Sequence, residues 1–411
     1  MNNDASSRAM NRSTSMRVRA GLRLAPVVAR VASAPATAGL IAVALVTLVL
    51  AGCSGGSPAI TSCEPEAGLT PDCRFSNPED LVAAPSGSTL IVSQYSDMAG
   101  SRAGSLVEFN PTTGAINPLF PAAGTVTPTE GWGEVDCPPP DPARFAPHGI
   151  DRAQLVTGEE ALYVINHGGR ESIEMFEIAA SGGLVWRGCV IAPEDGFFND
   201  LVVLRSGEFR VTQMYPRTAN ALWSLLRMQF TDYAPGYVYH WSPAFGFERL
   251  GGSEAQFANG IAQTADERTI FVNSYLGNEV IKVDVESGTR IGSAPVESPD
   301  NLSWSPTGEL LVASHLASVS DTLACGDLET GNCGFAFRIV AIDPETLNQR
   351  TILEHAGPPM GAATVALPFG DGLYLGTFAG DRITRAPATL LSPPSSDDAV
   401  TPPDTPNPHR S

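Results

Sequence analysis

The sequence predicts an all-β fold, a six-bladed β-propeller, on three observations. First, the 411 residues include 40 Gly and 34 Pro, which break long helices, while 43% hydrophobic content is too high for a disordered chain. Second, one pattern recurs six times: a polar pair, a short apolar strand, a turn and a second β-rich strand. Third, each copy is followed by a further strand with clean in–out alternation. A pair of β-sandwich domains would also be all-β. It gives no reason for the same polar pair to precede the same strand.

The copies run in order through the chain. The first reads E-D-L-V-A-A-P-S-G-S-T-L-I-V-S-Q from Glu79, and the second H-G-I-D, then A-L-Y-V-I-N-H, from His148. The third is N-D-L-V-V-L-R-S-G-E-F-R-V-T-Q from Asn199, and the fourth N-G-I-A-Q-T-A-D-E-R-T-I-F-V-N-S from Asn259. The fifth is D-N-L-S-W-S-P-T-G-E-L-L-V-A-S from Asp300; a degenerate sixth runs A-T-V-A-L-P-F-G-D-G-L-Y-L-G-T from Ala363. Third strands are expected at Ser105–Phe109, Ile173–Ile178, Tyr237–Trp241, Glu279–Val283 and Phe337–Ile342. The sixth unit runs out after Asp381–Arg385. Its outer strand is therefore expected from the N-terminal segment near Cys73, closing the ring. The propeller is placed at 75–390, after an N-terminal linker and ring-closing segment at 53–74 and before a disordered tail at 391–411 that is rich in Pro, Ser and Asp.

Residues 1–52 read as a secretory signal, with Met16 as an alternative start. Scattered arginines precede an uncharged apolar run from Thr37 to Leu50, about 14 residues and short for a membrane span. The run ends L-A-G-C at Leu50–Cys53. Its arginines gone, the body is still more acidic than the whole chain's net charge of −19. Such a body repels phosphate backbones, which excludes nucleic acid as a partner, and suits a divalent cation. Six cysteines follow Cys53, an even number that suits disulfides in an exported protein. Close spacing pairs Cys63 with Cys73 and Cys325 with Cys333, leaving Cys137 with Cys189. A zinc site is the weaker alternative, because no C-x-x-C or histidine pairing accompanies them.

The polar pairs carry the chemistry. In a propeller the first strand of each blade lies nearest the axis, so Glu79–Asp80, Asn199–Asp200, Asn259–Gly260 and Asp300–Asn301 converge on one end of the channel. Each pair alone reads as turn capping. Together, two carboxylates and three amide carbonyls, from Glu79, Asp300, Asn199, Asn259 and Asn301, form the oxygen-rich set that Ca²⁺ accepts and Zn²⁺ does not favour. No G-x-S-x-G elbow, phosphate loop or dinucleotide fingerprint is present, which argues against serine hydrolases, kinases and Rossmann enzymes.

At these residues the chain resembles the paraoxonases and arylesterases, within the wider senescence-marker-protein and gluconolactonase group of propellers. The resemblance covers 75–387 through E-D-L at Glu79, P-H-G-I at Pro147, V-I-N-H at Val164, N-D-L at Asn199, F-A-N-G-I at Phe257 and D-N at Asp300. It implies two calcium ions. One, catalytic, matches Glu79, Asn199, Asn259, Asp300 and Asn301; the other, structural, matches Asp80, Asp200 and the backbone carbonyl of Ile150. It further implies that His148 is a general base on water, with His167 behind it. The L-A-G-C end resembles a bacterial lipobox, which implies cleavage before Cys53, lipid on its thiol and a protein held at the cell envelope.

The expected activity is calcium-dependent hydrolysis of a small aryl ester or lactone. Two alternatives stand beside it: a gluconolactonase-type sugar-lactone hydrolase, and a non-catalytic calcium-stabilised platform for binding at the cell surface. His148 and His167 favour the first reading, since the wider gluconolactonase group generally lacks that pair. His240, His315, His355 and His409 receive no role, although His315 lies just past a blade strand and could line the channel. Ala219–Phe230, with Leu222, Leu225, Leu226, Met228–Phe230 and Trp223, reads as an apolar helix that is either a lid at the site mouth or plain packing. The Pro-rich loop from Phe120 to Ala146 is expected as another wall of that mouth.

Overall fold

The computed structural model describes residues 57–392 apart from 98, 99, 327 and 329. The signal segment, Cys53 and the tail from 393 lie outside the described residues. Six antiparallel sheets are arranged as a six-bladed β-propeller. The innermost strands are Pro78–Ala83, Pro147–Gln154, Phe198–Val203, Ala258–Gln263, Pro299–Trp304 and Ala363–Phe369. Each packs against the inner strands of both neighbouring blades, and Pro78–Ala83 meets Ala363–Phe369 to complete the ring.

Apolar alternation explains why the blades stack. Each contact between adjacent blades buries its own cluster, such as Leu81, Val92 and Phe109 of blade one with Val365, Tyr374 and Ile383 of blade six. Blades two and three meet through Tyr163, Met175, Phe198, Phe209 and Trp241. The remaining blade contacts are built likewise. A closed ring of such interfaces gives the apolar faces of every blade a neighbouring blade to pack against.

The sixth blade takes its outer strand from Thr70–Asp72, antiparallel to Ile383–Arg385. Cys63–Cys73 locks that strand's flank, and Cys137–Cys189 and Cys325–Cys333 complete the three disulfides. Arg382, fully buried, donates to the carbonyls of Ile60 and Ser62 and pins the N-terminal segment further. Leu391 is buried at the end of a short 3₁₀ turn and its carbonyl accepts from Arg350, so the described residues run on to Ser392, into the stretch expected as tail.

Two insertions differ from expectation in detail. Helix α1, Ala221–Phe230, is capped by Asn220, whose side chain accepts from the Trp223 amide. It buries Ser224 and Met228 but exposes Leu222, Trp223, Leu226 and Phe230, so the apolar stripe faces two ways. Helix α2, Val319–Gly326, follows blade five's second strand. Among the described residues, no helix is long and apolar enough to cross a membrane. The Phe120–Ala146 loop does not wall the mouth along its length. Thr125–Val126 pairs in parallel with Val185–Trp186 at the outer edge of blade two, and Gly133 bridges to Cys189. Only its last residues return to the axial end, where Ala146 accepts from the His167 amide.

Candidate active site

A shared backbone irregularity builds the site. Every inner strand breaks register at its start: between Pro78 and Asp80, Pro147 and Ile150, Phe198 and Leu201, Ala258 and Ile261, Pro299 and Leu302, and Ala363 and Val365. A bulge places an extra residue in the strand and re-aims the side chains around it. The polar pair sits at that bulge in each of the first five blades. Neighbouring inner strands approach so closely there that a Cβ at Gly149 would overlap the Asn199 carbonyl, and one at Gly260 the Asp300 carbonyl. That is why His148 and Asn259 are each followed by glycine.

All five predicted cage residues, and both histidines, are buried at this end of the axis. Asn301 donates through Nδ2 to Glu79 Oε1 at 2.7 Å, across the ring from blade five to blade one. Glu79 Oε2 and the Oδ1 atoms of Asn199, Asn259 and Asn301 are buried without any hydrogen-bond partner. An orphaned buried acceptor costs about 1–3 kcal/mol. Four in one place call for something positive among them.

Electrostatics point the same way. Burial, with the charges of Asp80 and Asp300 nearby, lifts the Glu79 carboxyl well above its usual range. Burial raises Asp300 to about 8 against the opposing influence of the Asn259 side chain. Bare carboxylates here would rather hold protons than charge. The oxygens present therefore fit a hard divalent cation. Among the described residues no three or more His, Cys, Asp or Glu side chains group to hold a metal, so the donor set depends on the asparagine carbonyls.

The predicted second set lies deeper. Asp80 accepts from the Leu81 and Ile150 amides, and Asp200 from those of Leu201 and Ile261, so each carboxylate staples its strand to the next blade. Burial raises Asp80 to about 7 and lifts Asp200 well above its usual range. Asp80, Ile150 and Asp200 line a cavity of about 370 Å³ that continues along the distal ends of the inner strands. Asp151, which the sequence pattern did not single out, lines the same cavity and is raised to about 6 by burial. Each Asp80 and Asp200 oxygen keeps a second lone pair after its backbone bond. A cation facing this cavity could use them.

The two histidines form a contact pair. His148 Nδ1 lies 2.9 Å from His167 Nε2, and His148 Nε2 lies 3.8 Å from Glu79 Oε1. Asn166 shapes the turn that carries His167, accepting from the Ala146 and Gly168 amides. Tyr95 packs against the His148 ring. Burial, then the neighbouring His167, push His148 well below the usual histidine range, so it is a neutral acceptor at pH 7.

Two participants, Glu171 and Arg217, escaped the sequence reading, and His315 was noted there only as a residue beside the channel, with no role. Glu171 accepts from His167 Nδ1 at 2.9 Å and is held by Arg217. His315 is a buried residue of the strand Leu310–Leu316, with Nε2 3.3 Å from Asp300 Oδ2 and Nδ1 3.1 Å from the Tyr275 hydroxyl. None belongs to the repeated pair, so periodicity could not reveal them. The only sequence signal for Glu171 is its place four residues after His167.

Comparison with known proteins adds a family match. The arylesterase family model matches residues 134–383, more than half of the chain. None of the curated proteins matches it. Among solved structures, a gluconolactonase from Xanthomonas campestris is 18% identical, with 81% of this chain and 98% of that chain covered and a TM-score of 0.46. A luciferin-regenerating enzyme is 12% identical, covering 77% and 95%, with a TM-score of 0.47. The periplasmic gluconolactonase of Pseudomonas aeruginosa is 15% identical, covering 73% and 78%, with a TM-score of 0.42. Likenesses so distant carry no functional argument.

Proposed function

Because the chain belongs to the arylesterase family, we propose that it hydrolyses small aryl esters or lactones with a calcium ion held by Glu79, Asn199, Asn259, Asp300 and Asn301, and with His148 as general base. The observation that carries this reading is the set of four unpartnered buried oxygens on the ring axis beside a neutral histidine. When bound there, calcium would stabilise the negative charge that develops on the substrate's carbonyl oxygen.

The chain's own residues do the rest. His148 Nε2 takes a proton from water as the water oxygen bonds to the carbonyl carbon. The bond from that carbon to the leaving oxygen then breaks, and the proton on Nε2 passes to the departing oxygen. His167 receives the Nδ1–H of His148 and shares the positive charge while it lasts. Asp80, Asp200 and the Ile150 carbonyl would hold a second calcium that ties blades one, two and three together. Hydrolysis of phenyl acetate, an aliphatic lactone and gluconolactone in the presence of calcium tests the activity. The expected result is turnover of the first or second that Asp300→Ala abolishes; no turnover of any of the three refutes it.

Three disulfides mark an exported protein. For Cys53, outside the described residues, we propose lipidation and anchorage at the cell envelope. Cys53→Ala should move the protein from the membrane to the soluble fraction, and unchanged fractionation would rule the anchor out.

A further inference from the structure

We propose that Glu171, clamped by Arg217, is a positioning residue that fixes the tautomers of the histidine pair and so aims a bare nitrogen of His148 at the site. The inference rests on the reading of His148 as the base. Both oxygens of Glu171 are already committed to donors. Oε1 accepts from the Phe198 amide at 2.8 Å, and Oε2 accepts from Arg217 Nη1. A carboxylate so surrounded only accepts, so His167 Nδ1, 2.9 Å from Oε2, must be the protonated nitrogen of its ring.

The consequence runs along the chain of bonds. With hydrogen on Nδ1, His167 Nε2 carries a lone pair, and it lies 2.9 Å from His148 Nδ1. His148 Nδ1 must then be the donor. Its remaining nitrogen, Nε2, is left with a free lone pair on the side that faces Glu79. The reverse order would put hydrogen on that nitrogen and leave His148 with nothing to take a proton. Glu171 also supplies the negative charge behind the pair that favours the imidazolium formed during water attack. His167 is 1% exposed and Glu171 8%, so bulk water does little to weaken that charge.

Arg217 keeps Glu171 in place from the open side. It lies over the Phe197 ring, and its amide donates to the Asp195 carbonyl at 2.9 Å. Arg217, Glu171, His167 and Arg144 line a cavity of about 370 Å³ behind the pair. Without Arg217 the carboxylate could turn toward that space.

A plain clamp between blades two and three would use the same Phe198 bond, so the test must separate position from stability. Glu171→Gln, His148→Gln and the double variant are assayed on phenyl acetate in the presence of calcium, with melting temperature followed. Glu171→Gln should lower kcat by about a hundredfold with KM little changed. The double variant should be no slower than His148→Gln alone, because both substitutions remove one function. The low-field imidazole N–H signals of the pair should disappear from the proton spectrum of Glu171→Gln. If Glu171→Gln does not fold, Glu171→Asp keeps the charge and should show a smaller kcat loss with the same non-additivity. A kcat within threefold of wild type, or losses that multiply in the double variant, would overturn the proposal. An active His148→Gln would instead remove the base reading beneath it; a dead His148→Gln beside an active Glu171→Gln removes this inference alone.

Discussion

His148 and Asp300 occupy the same position in two repeats and differ in what burial does to them. Both sit at inner-strand bulges, where any polar side chain is re-aimed, and their surroundings then set their roles. Burial keeps His148 neutral and ready to accept a proton, whereas it makes the Asp300 carboxylate depend on a positive partner. His148→Gln should therefore leave calcium affinity and melting temperature unchanged while kcat falls by about two to four orders of magnitude. Near-normal rates on every ester and lactone would make His148 a turn residue. That Glu79, Asn199, Asn259, Asp300 and Asn301 gather at one end of the axis was legible in the sequence, because they recur at one repeat position. Glu171 and Arg217 were not: they come from loops, and only the closed ring brings them beside the site. His315 was legible as a position beside the channel but not as a neighbour of Asp300.

At the level of elements, the strands were legible and the insertions were legible only as segments. Alternation located the third strand of each of the first five blades, since a half-buried strand has a period of two. Helix α1 was visible as an apolar run, but its faces were not. Met228 turns inward to Met214, Phe197 and Tyr215, while Trp223 is left 63% exposed. This arrangement makes α1 part packing and part surface. If its outer face borders the substrate's path, Trp223→Ala should raise KM or change the order of preferred esters, with the melting temperature within about 1 °C of wild type because little is lost from the core. A lowered melting temperature with unchanged kinetics would make the residue ordinary packing. The Phe120–Ala146 loop was misplaced for a related reason. Proline content announces a loop but not its course, and pairing with Val185–Trp186 decides that.

For the whole molecule, closure and charge are coupled. The ring is closed by Thr70–Asp72 on Ile383–Arg385, and its axis gathers Glu79, Asp80, Asp200 and Asp300 away from water. Carboxyls raised by burial bind more protons in the folded state than in the unfolded one. In the metal-free protein, stability from Asp80 and Asp300 is therefore present below their unfolded values near 4 and is lost as pH rises toward their folded values of about 7 and 8. Melting temperature in chelator should fall from pH 5 to pH 8, and saturating calcium should flatten that slope. Binding to the folded state alone adds about 4 kcal/mol at a thousandfold excess over Kd. A chelated protein that melts at the same temperature across this range would contradict the account of the axis.

Calcium dependence of hydrolysis is the most direct test of the central claim. The protein is stripped with chelator, metal loss is verified, and kcat/KM on its best aryl ester or lactone is measured as calcium is returned. The account predicts that activity disappears on stripping and returns in step with calcium binding, with Asp300→Ala failing to recover. Full hydrolysis by the verified metal-free protein would contradict it.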